Sequence, residues 1–105
     1  PDPRFDLDGR NLKTFLDITP WEAALGAKVP LSLMDGKTAS LTIAPGSRSG
    51  SQLKLKGRGM PARGKKKAGD ILAELRIVVP DKLSDNEKEL FEKLAEQSDF
   101  NPRAA

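Results

Sequence analysis

Apolar and polar residues alternate along most of the chain, in short runs that are separated by turn-forming residues. In the first run, residues 11–19, the side chains of Leu12, Leu16 and Ile18 share one face, because successive residues of a strand point to opposite sides. The same alternation recurs in residues 27–34, 37–45, 51–57 and 71–80. The pattern therefore predicts a mainly β chain whose strands are mostly antiparallel.

A short helix is predicted over residues 20–26, PWEAALG, directly after the first long strand. Thr19 precedes it as a capping residue, the first helical position is a proline, and a glycine suits its end. The segment is too short to be stable alone. We therefore expect Trp21, Ala24 and Leu25 to fill the core.

A longer helix is predicted near the C-terminus, over about residues 84–98. Ser84 and Glu87 form a capping box, S-x-x-E, at its start. The apolar residues that follow recur at helical spacing and form one stripe. The stripe comprises Leu90, Phe91, Leu94 and Ala95. It must pack either on the sheet of its own chain or on a second chain, and both alternatives stay open.

These elements together predict a small antiparallel β-sandwich-like domain, with one short helix after the first strands and one C-terminal helix. At 105 residues the chain is expected to be a single domain, residues 1–105. It begins without Met, so we interpret it as a piece of a longer protein. No apolar run is long enough to span a membrane, and we expect no membrane association.

The composition excludes several kinds of chemistry. Cysteine and histidine are both absent, which excludes disulfides, most zinc sites and every nucleophile that depends on histidine. The pairs of carboxylates in the sequence stand at a turn and at a helix start, where acids are ordinary. We therefore expect no enzyme, no catalytic residue, no cofactor and no metal.

The positive charge is concentrated between residues 48 and 67. This segment contains eight basic residues and no acid, whereas the rest of the chain is net negative. The basic residues are Arg48, Lys54, Lys56, Arg58, Arg63, Lys65, Lys66 and Lys67. Such a segment is either a solvated loop with a charged edge strand or a surface that contacts phosphates or an acidic protein. It contains no aromatic residue, so stacking on single-stranded bases is not expected, and contact with duplex phosphates remains.

The stretch GMPARGKKK, residues 59–67, contains the spacing G-x-x-x-x-G-K of a phosphate-binding loop. Two further requirements of such a loop are not met. Lys66 stands where a Ser or Thr would hold Mg²⁺, and the next element is a predicted strand rather than a helix. The stretch is therefore predicted to be a loop that joins two strands.

Three long stretches together resemble one family. They are DLDGRNLKTFLDITPWEAALGAKV, MDGKTASLTIAPGSRSGSQLKLKGRGMP and GDILAELRIVVPDKLSDNEKELFEKL. In this order they are similar to the second C-terminal β-domain of the DnaJ-like (heat-shock-40) co-chaperones. The similarity extends over about residues 3–102, and it is greatest to the bacterial curved-DNA-binding DnaJ-like branch, which lacks a zinc domain.

The resemblance implies a protein that holds unfolded client polypeptides and passes them to the 70-kilodalton heat-shock chaperone as a homodimer. The J-domain and the first β-domain of such proteins are absent from this chain. In the family pattern, Leu16, Leu31 and Leu33 match the peptide-binding groove, and Leu90, Phe91 and Leu94 match the dimerisation helix. The alternative is a nucleoid-associated fragment that contacts duplex DNA through residues 48–67. The expected location is the cytoplasm, or the nucleoid in the second case.

Overall fold

The computed structural model describes residues 3–104 and has a mainly β architecture with two helices. The elements in chain order are β1 (Asp6–Asp8), β2 (Asn11–Ile18), α1 (Pro20–Leu25), β3 (Ala27–Ser32), β4 (Thr38–Ile43), β5 (Gln52–Leu55), β6 (Ile71–Ile77) and α2 (Asp85–Gln97). The predicted fold class is confirmed, and so are the two helices at their expected places in the order of elements.

The strands form two sheets that face each other. The larger sheet has the order β1-β2-β6-β5, and the smaller one is the hairpin β3-β4. All pairs are antiparallel except β2 and β6, which run parallel in the middle of the larger sheet, from the pair Leu12 and Ile71 to the pair Ile18 and Ile77. This parallel pair was not predicted, because the alternation of apolar residues does not distinguish parallel from antiparallel pairing of strands.

The core lies between the two sheets. Ile18 and Leu75 of the larger sheet are almost fully buried, and they belong to one cluster with Ile43 of the hairpin. A second cluster surrounds Ile71, at the opposite end of β6 from the first cluster, and includes Phe5. The side chains that the alternation assigned to one face of β2 are therefore the ones that pack against the hairpin.

Helix α1 forms as predicted, but it buries a different residue. Thr19 caps it, and Thr19 and Glu22 exchange the two hydrogen bonds of a capping box. The expectation that Trp21, Ala24 and Leu25 fill the core is wrong, since Ala23 is the buried residue of this helix. The carbonyl oxygen of Ala23 accepts hydrogen bonds from the loop after β4, which turns Trp21 and Leu25 outward with 46% and 77% exposure.

Helix α2 has the predicted start and end within one residue. Ser84 and Glu87 form the predicted capping box, and the Ser98 N–H closes the last turn on Leu94. No residue of α2 is buried. The helix therefore stands beside the two sheets rather than as part of their core.

Candidate interaction surfaces

The apolar stripe of α2 is open to solvent. Leu90 is 65% exposed and Leu94 is 62% exposed, while Phe91 is half-buried. An open cleft of about 340 Å³ separates this stripe from Trp21 of α1. Its lining residues are Trp21, Glu87, Leu90, Phe91 and Leu94. Trp21 and Leu25 of α1 also point outward. The two helices therefore present neighbouring apolar surfaces, here called the helical patch, which comprises Trp21, Leu25, Leu90, Phe91 and Leu94.

Two of the three residues that match a peptide groove lie in the core. Leu16 and Leu33 are only 8% and 5% exposed, each in a different core cluster. Leu31 is half-buried between the clusters and packs against both. Of the three, only Leu31 has surface left for a ligand, and the groove remains a prediction.

Residues 57–70 connect β5 to β6 as a hairpin-like projection, here called the basic finger. Gly69 exchanges backbone hydrogen bonds of 2.9 Å with Gly59 and Met60 near its base. At its tip, Arg63 and Lys66 exchange hydrogen bonds of 3.0 and 2.9 Å. The stretch GMPARGKKK thus joins two strands, which confirms the prediction that it is a loop of this kind.

Arg10 fixes the finger from outside. Its guanidinium donates to the carbonyl oxygens of Pro61 and Lys67, the latter at 3.0 Å, while its own carbonyl accepts from the Met60 N–H at 3.0 Å. Asp70 adds a hydrogen bond of 2.8 Å from the Gly57 N–H to its carboxylate. The finger therefore has a defined shape although most of its side chains are exposed.

Sequence reasoning missed Arg10 as the residue that positions the basic finger. Arg10 and the two carbonyls that it binds are separated by 51 and 57 residues. No spacing rule connects positions so far apart, and an arginine after a turn is unremarkable by itself. The only local signal was its position next to the turn between β1 and β2.

The eight predicted cations do not form a single cluster. Five of them lie on the basic finger: Arg58, Arg63, Lys65, Lys66 and Lys67. Lys54 and Lys56 lie on or beside the edge strand β5, and Arg48 lies in the loop before it, at the opposite end of β6. All eight are exposed, and none forms an ion pair with another residue among 3–104.

A separate cluster lies on the outer side of the larger sheet. Arg76 binds Asp17 through two hydrogen bonds, of 2.6 and 3.2 Å, and its guanidinium lies 4.4 Å from the centre of the Phe15 ring. The hydrogen bond to Asp17 is the main reason that the pKa of Arg76 is raised above its ordinary value. The contact covers part of an aromatic ring that is otherwise exposed.

Comparison with known proteins identifies relatives along the whole chain. Residues 1–80 match the family described as the DnaJ C terminal domain. The curved DNA-binding protein of Escherichia coli is 44% identical over 104 residues, which cover 98% of this chain and 33% of that protein. The proteins of the same name from Pseudomonas putida and Coxiella burnetii are 43% and 42% identical over 103 residues, covering 98% of this chain and 32% of each protein. The chain thus spans about a third of the length of these relatives.

Proposed function

The chain belongs to the DnaJ C-terminal domain family, and we propose that it is a non-enzymatic co-chaperone module that dimerises and assists in binding unfolded polypeptide. The single observation that carries this proposal is the helical patch. Leu90 and Leu94 remain mostly exposed on a helix that otherwise has ordinary caps and charges. An apolar surface of this kind marks a contact with another protein.

A second copy of the chain is the proposed occupant of the helical patch. Trp21 and the stripe of α2 leave an open cleft, which a partner's apolar side chains would fill. Full burial of one leucine or phenylalanine contributes about 1.5–3 kcal/mol. Leu90, Phe91 and Leu94, each used twice in a symmetric interface, would supply most of the apolar burial that offsets the cost of association in the proposed dimer.

Sedimentation equilibrium of this chain tests the dimer. The wild type is expected to sediment as a dimer at micromolar concentration, and Leu90→Glu or Phe91→Glu should convert it to a monomer, because each places a charge in the interface. Lys88→Glu is the matched control, since it adds negative charge to the same helix outside the stripe. A wild type that remains monomeric would contradict the proposed dimer of this chain.

The proposed client is an unfolded polypeptide, and the full-length protein is proposed to act with the 70-kilodalton heat-shock chaperone. Leu31 is the member of the proposed groove that is open to a ligand, because Leu16 and Leu33 are buried. Leu31→Ser in the full-length protein should weaken suppression of client aggregation. The same suppression by the Leu31→Ser protein and the wild type would remove Leu31 from the site.

Duplex DNA is a second candidate partner, which two observations favour. The finger presents five cations that form no ion pair with residues 3–104, on a fixed backbone, and the relatives reported above are called curved DNA-binding proteins. In this alternative, residues 48–67 contact phosphates without reading sequence.

The DNA alternative predicts a particular dependence on salt. Replacement of Lys65, Lys66 and Lys67 together by Glu should lower affinity and reduce the slope of log K against log salt by about one for each lost phosphate contact. Lys28→Glu, which reverses the charge of an exposed lysine of β3 outside residues 48–67, is the control and should leave the slope unchanged. An unchanged slope in the triple variant would exclude the finger as a DNA contact.

A further inference from the structure

A second cleft lies between the turn of the β3–β4 hairpin and the base of the basic finger. It has a volume of about 520 Å³ and is open at one side. Leu12 and Leu33 form its buried floor, while Met34 and Met60 form its partly exposed walls. These are the two methionines of the chain, so we call it the methionine cleft.

The methionine cleft has few polar groups left to bind a ligand. Backbone N–H groups of four residues at its rim already donate to groups of this chain, and Pro61 has none to offer. The four are Gly57, Arg58, Gly59 and Met60. The carboxylate of Asp35 accepts a hydrogen bond from the Lys37 N–H. Two charged side chains can still bind a ligand: Asp35, which accepts only this one hydrogen bond among residues 3–104, and Arg58, whose guanidinium has no partner there.

We propose that the methionine cleft binds an extended polypeptide segment in which a bulky apolar side chain stands beside a carboxylate. The apolar side chain fills the cleft against Met34 and Met60, and the carboxylate pairs with Arg58. Methionine walls suit ligands of varied shape, because the thioether side chain is flexible and polarizable. The inference rests on the proposed binding of unfolded polypeptide and assigns a place and a charge preference to it.

Charge complementarity favours this occupant. The cleft opens beside the finger, whose exposed Arg63, Lys65, Lys66 and Lys67 extend the positive field of Arg58. Asp35 is the one acid among the residues that line the cleft, and residues 48–67 contain none, so the charge around the cleft is mainly positive. Duplex phosphates would satisfy the cations, but they would leave the apolar floor and the two methionines uncovered.

The two methionines give a direct measurement. Protein labelled with ¹³C at the methionine methyl groups should show two methyl signals, and both lie at the cleft. A nine-residue peptide with a central leucine between glutamates is expected to shift both signals in a saturable titration. Replacement of that leucine by serine, or of the glutamates by lysines, should weaken binding by about tenfold or more.

Variants of the protein separate the cleft from other sites. Arg58→Glu should lower the affinity for the peptide with glutamates by about tenfold or more. It should restore part of the affinity for the peptide with lysines. Arg48→Glu, an exposed arginine at the other end of the sheet, is the control and should leave both titrations unchanged. Met34→Leu keeps the apolar wall and removes one signal, which assigns the spectrum.

Three binding results, and one result on client aggregation, would overturn the methionine cleft as a peptide site. One is binding of the peptide, measured by fluorescence anisotropy, without a shift of either methionine signal. A second is the absence of any binding by the glutamate peptide at millimolar concentration. The third is a duplex oligonucleotide that shifts both signals and competes with the peptide. Suppression of client aggregation by the full-length protein is measured separately, and its loss in Leu31→Ser but not Arg58→Glu would retain the proposed function and reject the cleft.

Discussion

Gly69 and Arg10 are packed backbone against backbone, so closely that a Cβ atom on Gly69 would lie 1.7 Å from the carbonyl oxygen of Arg10. The atom in the way belongs to the main chain and cannot move aside as a side chain would. This contact holds the base of the basic finger against the turn between β1 and β2. It also explains why a glycine directly precedes Asp70 and strand β6.

Gly69→Ala is therefore expected to destabilise the fold by about 2 kcal/mol or more, because β6 or the turn after β1 has to shift. Gly64→Ala is the matched control in the same finger. Gly64 has a φ of 58° and nothing within 4 Å of an added Cβ, so only the cost of a left-handed backbone, about 1 kcal/mol, is expected. Urea unfolding of both variants measures the difference in the free energy of unfolding. Equal losses of that free energy would show that the close contact with Arg10 does not destabilise Gly69→Ala.

Arg10→Gln should loosen the finger without unfolding the sheets. The shorter amide cannot bridge the carbonyl oxygens of Pro61 and Lys67, which the guanidinium now joins. Hydrogen exchange of the Gly59 and Gly69 N–H groups should become several-fold faster, while exchange in β2 stays the same. Lys28→Gln, which removes an exposed cation from β3, is the control. Unchanged exchange at both glycines would mean that the finger keeps its shape without the arginine.

The carboxyl group of Glu87 should titrate below the ordinary pKa of glutamate, about 4.3. Hydrogen bonds from the Ser84 backbone N–H and hydroxyl group favour its charged form and lower the pKa. A lowered pKa in the folded state means that the contribution to stability is present above the unfolded value and is lost as the pH falls through the folded value. A carboxyl NMR titration should show the low midpoint, and Ser84→Ala should raise it.

Glu87→Gln provides the test of the stability claim. Glutamine can still accept the hydrogen bond from the Ser84 N–H, but it does not titrate. The wild type should therefore be more stable than Glu87→Gln at neutral pH, and the difference should disappear in acid. A difference that stays constant down to about pH 2 would show that the charge of Glu87 is not involved.

Local patterns predicted the elements better than they predicted their contacts. Thr19, Ser84 and Glu87 could be assigned to capping boxes from sequence, because each partner is within one helical turn. The face that α1 buries could not be assigned, since a helix of six residues takes its orientation from the loop that binds Ala23. The parallel pairing of β2 with β6 and the contacts of Arg10 join distant segments, which alternation and spacing do not encode.

Only one wall of the cleft in the helical patch was predicted from sequence, because the other wall depends on contacts between distant segments. The stripe of Leu90, Phe91 and Leu94 follows from helical periodicity, and the structure places it at the surface. Trp21 was assigned to the core, whereas it forms the other wall of the same cleft. Sequence identifies an amphipathic helix, but only the packing of the two sheets shows which apolar face stays uncovered by residues 3–104.

The central claim is that the chain dimerises through the helical patch, and the fluorescence emission of Trp21 tests it most directly. Trp21 is the single tryptophan, and the chain contains no tyrosine. Its spectrum should shift to shorter wavelength as the protein is concentrated from about 0.1 to about 100 μM, since a second copy would cover the helical patch. Leu94→Glu should abolish the shift, and Lys88→Glu should retain it. A spectrum that is the same at every concentration, in a protein that sediments as a monomer throughout, would contradict dimerisation through this patch.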